Sequence, residues 1–458
     1  MALNIVIMAA GKGTRMKSAM PKVLHRLAGT SLLQHVLNSG AELGAARTIV
    51  ITGHGAESVE DAARHSGAVF VRQVPQKGTG HAVQQAVPAL DPSQPTTLVL
   101  NGDVPLIRAQ TLRALVQASG GRQLALLTVE LDDARGYGRI VRAGGQVRAI
   151  VEHKDASPEQ RSIREVYTGI MAAPTALLAR WVMALSNDNA QGEYYLTDIV
   201  AMAVAEGVPV VTAAASGPTE VLGVNSPHQL ADLERRLQRQ RADGLMDAGV
   251  RLADPARIDV RGELVCGSDV EIDIGCIFEG RVQLADGVRI GAHCILRDSR
   301  IEAGAVIHPY SHIDGAVVGA KALVGPYARL RSGALLGEAV HIGNFVEVKN
   351  STLAAGAKAN HLAYLGDTTV GERVNFGAGS ITANYNGVRK QRTTIGNDVQ
   401  VGSNCVLVAP VTIGDGATIG GGSTISKDAP AGQLTVARAR QETLPAWRRP
   451  RKPTPPAE

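Results

Sequence analysis

A glycine-rich segment with basic side chains follows the first apolar run of the chain. The run LNIVIMAA covers residues 3–10, and Gly11, Gly13, Arg15 and Lys22 follow it within GKGTRMKSAMPK. Such a loop can turn backbone N–H groups towards phosphate oxygens, while Arg and Lys neutralise phosphate charge. It is a poor dinucleotide fingerprint, because Met16 stands where the third glycine belongs, and no G-x-x-x-x-G-K-[ST] occurs. The segment therefore predicts a phosphate site of another class.

A carboxylate follows a later apolar run. Asp103 comes just after TTLVL at residues 96–100. Magnesium sites for phosphate chemistry use one or two carboxylates together with phosphate oxygens and water, which suits Asp103. An Asp after a strand is nevertheless more often a turn former. The residue alone leaves both interpretations open.

A histidine in the second half of the chain stands among cationic residues. His361 lies in NHLAYLGD, and Arg331, Lys349 and Lys390 lie in segments around it. A lone His is more often structural than catalytic, but Arg and Lys together suit a dianionic phosphate, and imidazole titrates near neutrality. The surrounding cations favour His361 as a general base.

The elements that position these residues differ between the two halves. In the first half, apolar runs at residues 3–10, 48–52 and 96–100 alternate with helical patterns such as 31–44. This alternation predicts an α/β domain with a mostly parallel sheet and ligand sites beyond the carboxyl ends of its strands. After it, a stretch with Leu at 230, 233 and 237 predicts an amphipathic linker helix.

Beyond residue 300 an apolar residue recurs at every sixth position, often before glycine. A helix period of 3.6 and simple strand alternation both fail to give this spacing, whereas a solenoid of short strands places each sixth side chain in a narrow interior. An insertion between Thr382 and Ile395 interrupts the repeat and predicts a loop on one face. The repeat positions form three runs with this spacing: Ile301, Ile307 and Ile313; then Val318, Val324, Leu330, Leu336, Ile342 and Val348; then Ile395, Val401, Leu407, Ile413, Ile419 and Ile425.

Length and composition agree with two domains. A chain of 458 residues exceeds one ordinary hydrophobic core, and 3% aromatic residues with 51 glycines suit short strands and tight turns. The expected boundaries are 1–225 for the first domain, 226–249 for the linker helix, 250–437 for the solenoid and 438–458 for a basic tail. That tail holds six basic and two acidic residues, which is +4 of the formal net charge of +5.

Location and cysteine usage complete the expectations from composition. The start lacks the basic region of a signal peptide and no apolar window is long enough to span a bilayer, so we expect a cytoplasmic protein with neither membrane nor nucleic-acid partners. The four cysteines, Cys266, Cys276, Cys294 and Cys405, show no C-x-x-C pairing. We therefore expect reduced, buried thiols without disulfides or a structural metal.

The motifs resemble a known family. GKGTRMKSAMPK resembles the signature of sugar-nucleotide pyrophosphorylases, and QVPQKGTGH at 73–81, GYGRI at 136–140 and IVEHKD at 150–155 strengthen the match. With the hexapeptide half, essentially the whole chain resembles the bacterial bifunctional N-acetylglucosamine-1-phosphate uridyltransferases and glucosamine-1-phosphate acetyltransferases. The resemblance implies a Rossmann-like (GT-A-like) nucleotidyltransferase domain, then a left-handed parallel β-helix of hexapeptide repeats, assembled as a homotrimer.

For the first domain the resemblance implies UTP as substrate and Mg²⁺ as cofactor. It assigns Arg15 and Lys22 to catalysis and Asp103 and Asn225 to the metal. Where the family usually has Asn-Thr-Gly, this chain reads Tyr167-Thr168-Gly169, so Thr168 or the Tyr167 hydroxyl is expected to replace the amide. The nucleotide contacts implied are Gly11, Gly13, Lys22, Gln73, Gly78 and Thr79, and the sugar-phosphate contacts are Gly138, Glu152, Tyr167 and Asn225.

For the second domain the resemblance implies acetylation of glucosamine-1-phosphate by acetyl-CoA, as the first of the two steps. His361 is expected to remove a proton from the amine, and backbone N–H groups near Ala378 or Ser403 to stabilise the oxyanion. The glucosamine-1-phosphate contacts implied are Arg331, Lys349, Tyr364, Asn375 and Lys390, and the acetyl-CoA contacts are Ala378, Asn384, Tyr385, Ser403, Gly421 and Arg438.

Two other functions compete with this one. A monofunctional sugar-nucleotide pyrophosphorylase could carry a structural or regulatory β-helix, but His361 with Tyr364 and Lys390 argues against it. A non-enzymatic scaffold is disfavoured by the anion-binding residues that lie outside the repeat positions.

Overall fold

The apolar runs of the first half form the central strands of a mixed β-sheet. The computed structural model describes residues 2–189 and 191–450, so Arg451 and Lys452 of the expected basic tail lie outside the described residues. The chain divides into two compact units, Met1–Gln240 and Arg241–Glu458.

The elements of the first unit alternate between strand and helix. Its strands are β1 (Leu3–Met8), β2 (Arg26–Leu27), β3 (Thr30–Ser31), β4 (Arg47–Thr52), β5 (Val69–Arg72), β6 (Thr96–Asn101), β7 (Leu124–Glu130), β8 (Gly138–Ala143), β9 (Gln146–Val151), β10 (Glu165–Pro174) and β11 (Val210–Ala214). The α-helices are α1 (Leu32–Ala41), α2 (Ala56–Ala63), α3 (Thr79–Ala86), α4 (Ala109–Ser119), α5 (Pro158–Arg161), α6 (Thr175–Met183), α7 (Ile199–Ala205) and α8 (Pro227–Asp247). Short 3-10 helices cover Thr14–Met16, Lys22–Leu24, Arg64–Ser66, Val87–Ala89, Leu196–Asp198 and Pro218–Val221.

The main sheet has the strand order β11-β7-β10-β6-β1-β4-β5, with the hairpin β8–β9 attached to β10. β1 runs parallel to β4 and β6, as predicted. β10 runs antiparallel to both β6 and β7, whereas the other six strands of this order run in one direction, so the predicted mostly parallel sheet is confirmed with β10 as its exception. Parallel neighbours need a long crossover, whereas the chain reaches β10 from β7 through a hairpin and one short helix, and so it returns along the sheet in the opposite direction.

Helices cover both faces of this sheet. Along β1, Ile5 and Ile7 pack into the core shared with α1, α2 and α4, while Val6 packs into the core shared with α3, α6 and α7. This alternation follows from the two-residue period of a strand. Both faces are therefore closed, and polar side chains can meet a ligand only at the strand ends.

Helix α8 is amphipathic, as its leucine spacing predicts. Leu233 is buried, and Leu230 and Leu237 pack beside it in a cluster that also contains Met16 and Val224. The apolar face of α8 thereby anchors the end of the glycine-rich loop. The division between the two compact units falls inside this helix.

The second unit is a coil of short parallel strands, which confirms the predicted solenoid. Every repeat position named above is at most 4% exposed, and burying each Ile, Leu or Val stabilises the coil by roughly 1.5–3 kcal/mol. Residues one coil apart pair directly, for example Ile301 with Val318 and Val318 with Leu336. The left hand of the coil remains a prediction from the resemblance.

Two sheets of parallel strands form the walls of this coil within the described residues. One sheet contains Arg251–Leu252, Glu271–Ile272, Arg289–Ile290, Val306–Ile307, Leu323–Val324, His341–Asn344, Lys358–His361, Asn375–Phe376, Gln400–Val401, Thr418–Ile419 and Leu434–Thr435. The other contains Ile258–Cys266, Cys276–Leu284, Ile295–Arg297, Arg300–Ile301, His312–Asp314, Val317–Val318, Arg329–Leu330, Leu335–Leu336, Glu347–Lys349, Thr352–Leu353, Tyr364–Gly366, Thr368–Val370, Ile381–Ala383, Thr393–Ile395, Val406–Val408, Val411–Ile413 and Thr424–Ile425.

The insertion forms an exposed loop between Ile381–Ala383 and Thr393–Ile395. Tyr385 and Lys390 face each other in an antiparallel bridge, and the Asn386 side chain accepts hydrogen bonds from the backbone of Val388 and Arg389. Val388 at the tip is 83% exposed. The loop thus projects Lys390 from the coil on a short hairpin.

All four cysteines are free thiols, and Cys276, Cys294 and Cys405 are buried as predicted. Cys266 is only half-buried, because it ends a strand near the first coil. Burial raises the pKa of Cys266 and Cys276 to about 11 and that of Cys294 to about 12. In residues 2–189 and 191–450, no helix combines the length and apolar character needed to cross a membrane.

Candidate functional site

The glycine-rich loop brings Lys22 to the carboxyl ends of the central strands. Gly13 adopts the left-handed conformation with φ of 59°, and a Cβ on it would lie 2.7 Å from the Cβ of Lys22. Only glycine therefore fits where the loop passes this lysine. Met16 is buried and fixes the end of the loop against α8.

Lys22, Asp103 and Asn225 meet in one cluster. The Lys22 ammonium lies 2.5 Å from Asp103 Oδ2 and 3.1 Å from Asn225 Oδ1. A backbone hydrogen bond joins the segments that carry Asp103 and Asn225, because the Val224 N–H donates to the Asp103 carbonyl at 3.0 Å. All three side chains line a cavity of about 570 Å³ at the edge of the sheet.

The oxygen pair in this cluster fits the implied magnesium ion. A carboxylate and an amide oxygen converge on one positive charge, here the Lys22 ammonium, and the same donors suit a hard divalent cation. The side chains of Lys22 and Asp103 are only 15% and 18% exposed, so their charges interact more strongly than in open solvent.

Residues predicted to contact the nucleotide line the same cavity. Gly11, Gln73, Gly78 and Thr79 are among its lining residues. Gly78 precedes α3 with φ of 103°, where a Cβ would lie 2.6 Å from the Tyr194 carbonyl oxygen. Gly78 thus allows the start of α3 to approach the chain at Tyr194.

A second, smaller cavity of about 210 Å³ adjoins the first. Gly138, Glu152, Tyr167 and Thr197 line it, and several residues, among them Thr79, line both cavities. Burial raises the pKa of Glu152, although the Thr197 hydroxyl, which donates to Glu152 at 3.3 Å, acts in the opposite direction. A half-buried carboxyl group with a raised pKa therefore lines this cavity.

The Tyr167 side chain closes this smaller cavity. Tyr167 is 7% exposed, and its hydroxyl has no hydrogen-bond partner in the described part of the chain. Burial, together with the charge of Glu152, places the pKa of Tyr167 well above its usual value, so the hydroxyl keeps its proton. By contrast, the Thr168 hydroxyl donates to the Leu127 carbonyl at 3.0 Å.

Two residues predicted for the first site, Gly13 and Arg15, line neither cavity. Gly13 lies against Lys22, whereas the Arg15 side chain is exposed on the 3-10 turn Thr14–Met16. Sequence reasoning also missed Thr197, whose contact with Glu152 spans 45 residues and leaves no local signal.

His361 of the second unit is oriented by a residue one coil earlier. The His361 ring Nδ1 lies 3.0 Å from Asn344 Oδ1, and the two residues pair in adjacent strands. An amide oxygen can only accept, so Nδ1 carries the proton and Nε2 is left with a lone pair. Asn344 was missed from sequence, although its separation of 17 residues from His361 matches the coil spacing.

A column of predicted acetyl-CoA residues continues from His361 along one corner of the coil. Backbone hydrogen bonds stack the successive corners. The Gly379 N–H donates to the His361 carbonyl at 3.2 Å, and the N–H groups of Asn404 and Gly422 donate to the Ala378 and Ser403 carbonyls, both at 2.8 Å. The Arg438 guanidinium donates to the Gly421 carbonyl at 2.6 Å. These four predicted positions therefore lie on one line.

Predicted sugar-phosphate residues form a cationic cluster on the other sheet. The Lys349 and Lys390 ammonium groups adjoin, which lowers the pKa of Lys349. Arg331 donates to Glu347 at 2.8 Å, which raises the pKa of Arg331. The cluster thus gathers three cations with two carboxylates, Glu347 and Asp367.

Asp367 organises the base of this cluster. Burial opposes its ionisation, but hydrogen bonds from Asn350 and Asn384 and the charges of nearby lysines outweigh burial and lower the pKa of Asp367. The Asn384 amide donates to Asp367 at 2.5 Å, and the Tyr364 hydroxyl fills the space beside Gly366. Asn384, predicted for acetyl-CoA, therefore has its amide nitrogen engaged within the cationic cluster.

Two predicted residues of the second unit stand outside these groups. Asn375 lies on the strand next to Lys358–His361, but it pairs with Lys358 at the start of that strand and not with His361 at its end. The Tyr385 hydroxyl donates to the Gly387 carbonyl at 2.6 Å within the exposed loop.

Comparison with known proteins matches both units to transferase families. Residues 5–252 match the MobA-like NTP transferase domain, residues 260–359 match the GMPPB C-terminal domain, and residues 392–427 match the bacterial transferase hexapeptide with six repeats. A nucleotidyl transferase from Methanothermobacter thermautotroptrophicus is similar at 22% identity over 52% of this chain and 98% of its own, with a TM-score of 0.39.

Curated relatives match over nearly the whole chain. The bifunctional protein GlmU of Methylibium petroleiphilum is 72% identical over 458 residues, covering 98% of this chain and 99% of its own. The bifunctional protein GlmU of Paracidovorax citrulli is 66% identical over 469 residues, with coverage of 98% and 99%. The resemblance inferred from the motifs is thereby confirmed: the chain belongs to the GlmU family of bifunctional proteins, with an N-terminal NTP transferase domain and C-terminal hexapeptide repeats.

Proposed function

We propose that the chain acetylates glucosamine-1-phosphate in its second unit and uridylylates the product, N-acetylglucosamine-1-phosphate, in its first. The observation that carries the proposal is the convergence of Lys22, Asp103 and Asn225 in a cavity that opens onto a second, sugar-sized cavity. A triphosphate and a sugar phosphate can then meet beside the Lys22 ammonium and the proposed ligands of Mg²⁺. Family membership favours two activities over a monofunctional pyrophosphorylase or a scaffold.

In the first unit the proposed reaction is a displacement at phosphorus. A phosphate oxygen of N-acetylglucosamine-1-phosphate forms a bond to the α-phosphorus of UTP, and the bond from that phosphorus to the bridging oxygen breaks to release pyrophosphate. Lys22 stabilises the charge that develops on the transferred phosphoryl group. Mg²⁺, held by Asp103 and Asn225, neutralises triphosphate charge when bound.

The remaining residues of the first unit orient the two substrates. Gly11 and Gly13 present backbone N–H groups to the triphosphate, and Gln73, Gly78 and Thr79 hold the base and ribose. Gly138, Glu152, Tyr167 and Asn225 hold the sugar phosphate. Arg15 stays a proposed triphosphate contact from its exposed turn. Because the reaction needs no protein nucleophile, this positioning supplies much of the catalysis.

In the second unit the proposed reaction is amine acetylation from a thioester. The His361 Nε2 lone pair takes a proton as the substrate nitrogen bonds to the acetyl carbonyl carbon, and the C–S bond then breaks. The imidazolium returns the proton to the thiolate of coenzyme A. Backbone N–H groups near Ala378 or Ser403 are proposed to stabilise the oxyanion.

A homotrimer is proposed for the acetyltransferase. His361 ends a strand of one sheet, whereas Arg331, Lys349, Tyr364 and Lys390 lie on the other sheet and the inserted loop. In the trimer a neighbouring coil supplies the second half of each site. A dianionic phosphate bound there relieves the repulsion between the adjoining lysine ammonium groups.

Two product measurements test the proposed function. Purified chain with acetyl-CoA and glucosamine-1-phosphate is expected to release free thiol, and with UTP, Mg²⁺ and N-acetylglucosamine-1-phosphate to release pyrophosphate. Chelation of Mg²⁺ by EDTA should stop only the second reaction. If the trimeric protein released no thiol, the chain would instead be a monofunctional sugar-nucleotide pyrophosphorylase.

Replacement of Tyr167 by Phe is expected to stabilise the protein and weaken sugar binding. The buried hydroxyl has no protein partner, and such a group costs roughly 1–3 kcal/mol, so its removal should raise the melting temperature. Tyr167 lines the proposed sugar cavity, and its hydroxyl is buried there without a partner among the described residues; we expect the bound sugar to reach it, so its loss should lower kcat/KM for N-acetylglucosamine-1-phosphate by about tenfold. Thermal unfolding and pyrophosphate release measure the two effects.

Thr168→Val provides the contrast, because the Thr168 hydroxyl already bonds the Leu127 carbonyl. That variant should be less stable than the native chain. A Tyr167→Phe protein with unchanged kcat/KM would show that the phenol oxygen contributes nothing to sugar binding.

A further inference from the structure

His81 in helix α3 lies between two glutamine side chains beside the nucleotide cavity. Its ring Nδ1 is 3.1 Å from Nε2 of Gln73, and its Nε2 is 3.3 Å from Nε2 of Gln85. Gln73 is 3% exposed and lines the cavity, whereas His81 stands behind it. His81 therefore reaches a nucleotide only through Gln73.

The orientation of the Gln73 amide is fixed by two acceptors. Its Nε2 donates to the Gly78 carbonyl at 2.9 Å, and a carbonyl oxygen can only accept. The second hydrogen on Nε2 points to His81 Nδ1, which accepts when the ring is neutral with its proton on Nε2. Burial and the charge of Lys77 lower the pKa of His81, which favours the neutral ring. The Gln85 amide nitrogen faces this ring nitrogen and donates to the His81 carbonyl at 3.4 Å, so a proton on His81 Nε2 requires the Gln85 amide to turn and present its oxygen.

With both amide hydrogens engaged, the Gln73 oxygen is the group left to meet a nucleobase. Uracil presents an N–H between two carbonyl groups, whereas cytosine presents a bare ring nitrogen beside an amino group. An acceptor placed opposite the ring nitrogen attracts uracil and repels cytosine. The amide turned by 180° would reverse this preference, because it would present a donor there.

We propose that His81 is a positioning residue that holds the Gln73 amide with its oxygen towards the base and so selects uracil over cytosine. The inference rests on the proposed function, which places UTP in this cavity. It assigns His81 a part in specificity, with no contact to the substrate.

Three substitutions test the proposal through the ratio of kcat/KM for UTP to that for CTP. His81→Leu and His81→Ala remove the acceptor at Nδ1, and each is expected to lower the ratio about tenfold, the effect of one lost hydrogen bond. His81→Asn is the matched control, because an Asn Oδ1 can take the place of Nδ1. It should keep the ratio within about threefold of the native value.

The ratio separates specificity from general damage, since a merely loosened fold lowers both kcat/KM values together. Thiol release from acetyl-CoA by the same preparations reports on the second unit and should not change. An unchanged ratio in His81→Leu and His81→Ala, or an equal fall in His81→Asn, would overturn the proposal. A native chain that uses CTP as readily as UTP would instead overturn the proposed uridine specificity itself.

Discussion

Replacing His361 by alanine is expected to lower the rate of acetyl transfer by about 10²–10⁴-fold, the usual contribution of a positioned general base. The amine must lose a proton as it attacks the thioester, and the Nε2 lone pair of His361 is oriented for this because Asn344 holds Nδ1 at 3.0 Å. Uridylyl transfer should be unchanged. Initial rates of thiol release and pyrophosphate release on the same preparation measure both.

His293→Ala is the matched control for this substitution. His293 is also exposed on a coil corner of the second unit, where its ring stacks on Tyr310 at 5.2 Å. Acetyl transfer by this variant should stay within about threefold of the native rate. If His361→Ala kept its thiol release, or lost both activities equally, a separate acetyltransferase site based on His361 would be ruled out.

Asp103→Ala should have the converse effect, a loss of about 10²–10³-fold in uridylyl transfer with acetyl transfer intact. The Asp103 carboxylate accepts a hydrogen bond from the Lys22 ammonium at 2.5 Å. It is also the proposed carboxylate ligand of Mg²⁺. Without it, neither charge is positioned against the triphosphate. Pyrophosphate release at saturating UTP, measured across a range of Mg²⁺ concentrations, reports the change.

Glu193→Ala tests whether any carboxylate at this cavity would serve. Glu193 lines the same cavity but is exposed. We expect its loss to change the rate by no more than about threefold. If Asp103→Ala and Glu193→Ala lowered the rate of uridylyl transfer to a similar extent, the effect would be a general electrostatic one. The proposed role of Asp103 would then be ruled out.

The solenoid was the part of the fold most completely predictable from sequence. Its six-residue period places one side chain in the interior at each step, so position in the repeat alone determined the burial of Ile301 or Ile413. The direction of β10 was not predictable in this way. It depends on how the chain returns to the sheet after the β8–β9 hairpin, which no local pattern records.

The candidate sites divide in a similar way. Residues such as Lys22 and Asp103 could be predicted from short sequence motifs, because each stands in a loop with a recognisable local sequence. Their meeting with Asn225, 203 residues after Lys22, depended on tertiary structure. Asn344 was missed because its position next to His361 depends on the number of residues in the intervening coil, which is 17.

The column from His361 to Gly421 has a fixed length, because each step along it is one strand spacing. Neighbouring strands lie about 4.8 Å apart, so three steps span roughly 14 Å. If the proposed acetyl-CoA site follows this column, the number of coils determines the distance between the two ends of the bound cofactor. Removing one whole coil between His361 and Gly421 would shorten the column by about 4.8 Å. The thioester would then be displaced from the His361 imidazole, although the imidazole itself would be unchanged.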